Sequence, residues 1–360
     1  MIKQKTGIPY SFTGHSLGAQ KFEKLNKAFS NFDELENKYQ FTKRILAERS
    51  AIKNSDLIFV STTQEMEEQY THILYKDTNH TINPLSFIVA PPGANTSVFA
   101  PYWSTTVKEE TVTKIDGLIK RDIDPARRNL PFIVLASRLD PKKNHIGLVK
   151  AYSENKALQE RSNLMISLRG VDNAFDDYSM MKPEEKVIIK EIMDIINHSG
   201  IKGSVSFMSI NSQFELADTY RYMAKQKSVF SLTALYEPFG LAPIEAMSTG
   251  LPVGVTMYGG PSDVLEENGE KFGVLLDVKN TENIGEGLNE LFDNYDFYQK
   301  QGSKRVVSKY TWQATAKTYL EAITDKLSNK KTSIVELPSY FMSKDIKDLD
   351  TLFILHKYKN

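Results

Sequence analysis

From Pro131 onward, short apolar runs rich in valine, isoleucine and phenylalanine alternate with longer stretches whose apolar residues recur at helical spacing. Six of the runs read as strands, over 132–136, 164–168, 205–208, 229–232, 252–255 and 273–276. The stretches between them predict helices over 145–157, 184–198, 213–225, 240–249 and 281–293. This alternation predicts βαβ units and a parallel sheet. Six strands with intervening helices make a complete doubly wound domain, in which ligands bind beyond the carboxyl ends of the strands. Residues 1–125 alternate in the same way with fewer units: strands near 8–12 and over 57–60 and 87–90, and helices over about 40–54 and from about 63. Three strands are too few for a second complete domain of this kind, so this part is either incomplete or borrows from elsewhere. Its sheet should leave an edge and an apolar face uncovered. The polar stretch 121–128, with its proline and arginines, reads as the linker between the two parts. One further helix is expected from Trp312 to about Leu327, followed by a polar stretch.

Composition narrows the function classes. The chain has 360 residues with 45 basic and 45 acidic side chains, so no net field draws it to nucleic acid or an anionic membrane, and any phosphate binding must be local. The absence of cysteine excludes a disulfide framework, a thiolate metal site and a cysteine nucleophile. No run of eighteen apolar residues occurs, and the chain starts without a signal-like apolar core, so a soluble, cytoplasmic protein is expected. Zinc-protease, calcium-loop, Walker A and serine-elbow patterns are missing as well, so no metal is expected.

The most informative segment is Tyr236 to Met247, which follows the strand ending at Leu232 and sets Glu237 and Glu245 around a helix start. Pro243 is tolerated in a first helical turn, and the free amides of Gly240, Leu241 and Ala242, just after Phe239, could face an anion. Both glutamates could accept hydrogen bonds from ligand hydroxyls. A solvated glutamate pair around an ordinary helix start reads the same spacing equally well. A second cluster, Ser137 to His145, follows the first strand of the same domain and carries Arg138, a fork suited to phosphate, and Lys143, a mobile point charge. Charged loops of this kind are also common as plain surface. Tyr258-Gly259-Gly260-Pro261 permits close backbone approach, or is simply a turn. In the first part, His15 follows a strand, with Lys21 six residues on and Arg44 and Arg49 on the next helix; a structural histidine on an ordinary charged surface is the alternative.

Together these residues resemble the retaining family-4 glycosyltransferases of the two-domain GT-B fold, whose signature E-x7-E matches Glu237 to Glu245. Within that family the chain is similar to the bacterial sucrose-phosphate synthases, with the segments 12–21, 43–49, 60–65, 91–93, 137–145 and 258–261 recurring in order. The resemblance implies two Rossmann-like α/β domains: an incomplete acceptor-binding one over 1–126 and a nucleotide-sugar-binding one over 127–310. A helix over 311–327 would cross back toward the first, with a tail over 328–360. The implied reaction moves glucose from UDP-glucose to fructose 6-phosphate. In this scheme Arg138 and Lys143 hold the diphosphate with the amides of Gly240, Leu241 and Ala242, and Glu245 holds the ribose. Glu237 binds a hydroxyl of the donor glucose, His15 approaches the transferred sugar, and Lys21 and Arg44 bind the acceptor phosphate. No metal or other cofactor is implied. Family members carry further strands and a glycine-rich loop ahead of the segment that starts here at Phe12. A second polypeptide supplying those strands, an inert nucleotide-sugar-binding remnant and a related transferase such as a mannosylfructose-phosphate synthase are therefore the alternatives.

Overall fold

A computed structural model of the chain describes residues 2–14, 17–26, 31–76, 78, 86–328 and 353–359. The chain divides into two compact units, Met1–Pro91 together with Ala316–Asn360, and Pro92–Thr315.

The first unit holds a three-stranded parallel sheet, β1 (Ser11–Thr13), β2 (Leu57–Val60) and β3 (Phe87–Val89), in the order β1-β2-β3. Alternation along the central strand sends Ile58 and Val60 to one face and Leu57 and Phe59 to the other. The first pair packs with Phe22 of helix α1 (Gly18–Leu25), with Phe41 and Ile45 of helix α2 (Phe41–Asn54), and with Tyr70 and Tyr75. The second pair is covered by Tyr319 and Ala322, and Tyr319 stacks on Phe59 with ring centroids 3.8 Å apart. Both faces of β2 are therefore covered, contrary to the uncovered apolar face expected of so small a sheet. The covering helices come from the two ends of the chain, a pairing that local sequence does not announce. The short helix Phe353–Lys359 adds Ile354 to the same core and lays Phe353 under the Arg49 guanidinium, 5.0 Å away.

The second unit contains a six-stranded, all-parallel sheet. Its strands are β4 (Phe132–Leu135), β5 (Asn163–Leu168), β6 (Val205–Ser209), β7 (Val229–Leu232), β8 (Val253–Thr256) and β9 (Val274–Leu276), in the spatial order β9-β8-β7-β4-β5-β6. Ile133 and Leu135 face one core with helices α4 (His145–Glu154), α5 (Pro183–His198) and α8 (Thr281–Asp293). Phe132 and Val134 face the other, with helices α3 (Glu109–Asp122), α6 (Gln213–Lys225) and α7 (Leu241–Thr249) and with Val306 of α9 (Tyr295–Lys309). A sheet buried on both faces asks for near-continuous apolar strands, and each such side chain contributes about 1.5–3 kcal/mol. The strand order turns back between β4 and β7, which opens a crevice at their carboxyl ends.

The boundary between the units falls after Pro91, not at 126/127. The stretch expected to be a linker is the end of α3 and a 3-10 turn, and Arg127 anchors it with hydrogen bonds to the Asn163 side chain and to the Gln159 and Ser162 carbonyls. Residue 316, where the chain rejoins the first unit, lies inside helix α10 (Trp312–Ser328). Among the described residues no helix is long and apolar enough to cross a membrane.

Candidate functional site

The loops after β4 and β7 meet at the crevice. Leu235 N–H donates to the Lys142 carbonyl (2.8 Å) and Thr233 Oγ1 donates to the Asn144 carbonyl (3.0 Å), so the two loops are fastened to each other. The first loop turns tightly because Asp140 accepts from Lys142 N–H (2.9 Å) and Asn144 adopts a left-handed conformation, from which its side chain caps α4 at Gly147 N–H (3.1 Å). His145, 1% exposed, sets its Nε2 3.3 Å from Ser137 Oγ, and burial pushes its imidazole down to about 4, so it is neutral near pH 7. These contacts present Arg138 and Lys143. Arg138 is exposed and without a hydrogen-bond or ion-pair partner among the described residues. Lys143 Nζ lies 2.6 Å from Glu237 Oε2, with the two side chains 23% and 13% exposed.

Glu237 is held by its backbone. Its N–H donates to the Tyr258 carbonyl and its carbonyl accepts from Gly260 N–H, each at 3.0 Å. Gly259 has φ +112°, and a Cβ there would stand 2.0 Å from the Glu237 carbonyl oxygen. The close approach that the glycine pair permits is therefore to the acidic loop itself.

Phe239 is buried, and Gly240 turns into α7 with φ +95°. The N–H groups of Gly240, Leu241 and Ala242 meet no acceptor among the described residues, so the positive end of the helix is open toward the crevice. Glu245, the fifth residue of α7, is pushed up to about 7 by burial, a shift partly offset by a hydrogen bond with Gln213 of α6. Glu245 thus sits at the edge of ionisation at neutral pH. Gln213 was not singled out by the sequence; its contact joins the starts of two helices, and only knowledge of the strand order could have suggested it.

Arg138, Lys143, Glu237, the α7 amides and Glu245 are therefore gathered in one unit, at the ends of β4 and β7. Lys21 and Arg44 belong to the other unit. Lys21 is exposed on α1 with its ammonium 4.3 Å from the Tyr39 ring centroid. Arg44 Nε is 2.9 Å from Glu48 Oε1, and the Glu48 carboxylate also accepts from Gly18 N–H and the Tyr75 hydroxyl. His15 lies outside the described residues.

The profile of the family described as glycosyl transferases group 1 matches residues 119–330. A probable sucrose-phosphate synthase from Thermosipho melanesiensis is 38% identical over 341 residues, which cover 95% of this chain and 69% of that protein. The sucrose-phosphate synthase of Zea mays is 29% identical over 90% of this chain, which spans only 32% of the plant enzyme. Among solved structures, a sucrose-phosphate synthase from Thermosynechococcus elongatus superposes with a TM-score of 0.62 at 19% identity, covering 91% of this chain and 70% of that one. Anabaena HepE, solved in complex with UDP, gives a TM-score of 0.58 at 14% identity over 88% of this chain and 72% of its own. The shared fold is the α/β GT-B fold of glycosyltransferases. With a bacterial relative at this identity and a group 1 match over more than half its length, the chain belongs to the sucrose-phosphate synthase family of group 1 glycosyltransferases.

Proposed function

We propose that the chain transfers glucose from UDP-glucose to fructose 6-phosphate with retention of configuration, giving sucrose 6-phosphate and UDP. The observation that carries this reading is the convergence of Arg138, Lys143 and the open amides of α7 with two glutamates at the crevice between β4 and β7. The cations and amides suit a diphosphate, and the carboxylates suit hydroxyls: Glu245 those of the ribose, Glu237 one on the donor sugar.

The bond from the sugar's anomeric carbon to the diphosphate oxygen breaks, and a bond from that carbon to the acceptor hydroxyl oxygen forms on the same face. The hydroxyl proton passes to the departing diphosphate. Negative charge grows on the leaving group as the bond lengthens, and the α7 amides, held by the backbone, receive it together with the side chains of Arg138 and Lys143. This scheme asks for no protein nucleophile and no cofactor. Lys21 and Arg44 are assigned to the acceptor phosphate and His15 to the transferred sugar, following the family pattern.

The test is release of UDP from UDP-glucose and fructose 6-phosphate. Arg138→Ala should lower kcat/KM by about a hundredfold. Lys21→Ala should raise KM for fructose 6-phosphate about tenfold while leaving KM for UDP-glucose unchanged. Equal use of fructose and fructose 6-phosphate by the parent chain would remove the phosphorylated acceptor from this reading.

A further inference from the structure

Arg138 and Lys143 serve the same proposed diphosphate subsite, yet their surroundings differ. Arg138 faces solvent with no carboxylate or hydrogen-bond partner among the described residues, whereas Lys143 is already matched by Glu237 at 2.6 Å. The pair is largely shielded from water, at 23% and 13% side-chain exposure, so salt screens it less than a surface ion pair. The Glu237 backbone cannot drift away, because it is pinned to Tyr258 and Gly260 and pressed by Gly259. The ion pair is therefore made and broken by side-chain torsions of Glu237 and Lys143, with the Glu237 backbone held still.

We infer that Glu237 is a built-in competitor of the leaving nucleotide, one that favours nucleotide sugar over free nucleoside diphosphate and so speeds product release. A diphosphate that approaches Lys143 meets a carboxylate of like charge at the same ammonium. When a sugar is attached, the displaced Glu237 gains a sugar hydroxyl as a new partner, and the cost of breaking the ion pair is offset. When the sugar has been transferred away, that hydroxyl is gone. Glu237 then turns back to Lys143 and weakens the hold on the nucleotide. The inference rests on the proposed donor site and adds to it a reason for the order in which ligands leave.

The experiment is calorimetric titration of the full chain with UDP and, separately, with UDP-glucose, in the parent and in Glu237→Gln, Lys143→Ala and the double variant. Glutamine keeps the side-chain volume and the pinned backbone. Glu237→Gln should bind UDP about five- to tenfold more tightly than the parent and gain much less for UDP-glucose. In the Lys143→Ala background the same change should alter UDP affinity less than twofold, because the competition is for that ammonium. UDP affinity unchanged or weakened in Glu237→Gln overturns the inference and leaves the site standing. An equal gain with and without Lys143 also overturns it, since general charge then accounts for the effect. A parent chain that binds neither UDP nor UDP-glucose removes the donor site, and the inference with it.

Discussion

At the scale of single residues, the site is governed by what burial does to charge. Glu245 carries its proton to about pH 7, because removing the carboxylate from water disfavours the ionised form more than the Gln213 hydrogen bond favours it. Its ordinary value is near 4.5, so the folded chain holds the proton more tightly than the unfolded one. The sign follows from linkage: the contribution of Glu245 to stability is fully present below about pH 4.5 and is lost as pH rises through about 7. In the proposed donor site the ribose hydroxyls would donate to the charged form, so binding would pull in the opposite direction. UDP-glucose, whose own phosphates stay ionised over this range, is expected to bind up to about tenfold more tightly at pH 8 than at pH 6. In Glu245→Gln the profile should be flat and the affinity uniformly low. Calorimetry across the pH series checks this, and a parallel slope in both proteins would place the titrating group elsewhere.

At the scale of elements, much of the second unit was readable because its strands are buried on both faces. The run Phe132 to Leu135 has no polar interruption and Val229 to Leu232 has only the small, buried Ser231, and the helices between them keep one apolar stripe. The helices that went unread are those whose order comes from docking. Glu109–Asp122 holds Thr111, Val112, Thr113 and Gly117, poor helix formers, and is kept helical by Ile115, Leu118 and Ile119 in the core. The candidate site was legible as residue types after strands, but its joints were not: Lys143 and Glu237 lie 94 residues apart, and the polar composition of 121–128 reads as a linker although hydrogen bonds from Arg127 pack it as a turn. Helix α10 shows the same dependence on distant partners, through the stacking of Tyr319 on Phe59. Tyr319→Ala should cost the first unit about 2 kcal/mol by uncovering that ring, less than the full penalty for a core aromatic because Tyr319 is itself only half-buried. Urea unfolding followed by fluorescence measures the loss, while UDP affinity should stay at the parent value.

At the scale of the whole molecule, every residue assigned to the nucleotide and its diphosphate lies in the continuous unit Pro92–Thr315, and the first unit is assembled from two separated stretches. A fragment spanning residues 92–315 is therefore expected to fold, by circular dichroism, and to bind UDP within about threefold of the full chain by calorimetry. A folded fragment that fails to bind would show that the first unit supplies part of the nucleotide site. The discontinuity also sets the order of events on the ribosome. Domains fold as units while the chain emerges at about 5–20 residues per second, so the second unit has all it needs once Thr315 has cleared the exit tunnel. The first unit, although its opening strands are made earliest, waits for Tyr319 and Ile354 to close its two cores. Its nascent apolar strands are thus the segment that most needs chaperone cover during synthesis, and lesions in α10 should appear as lost yield of folded protein before they appear as lost catalysis.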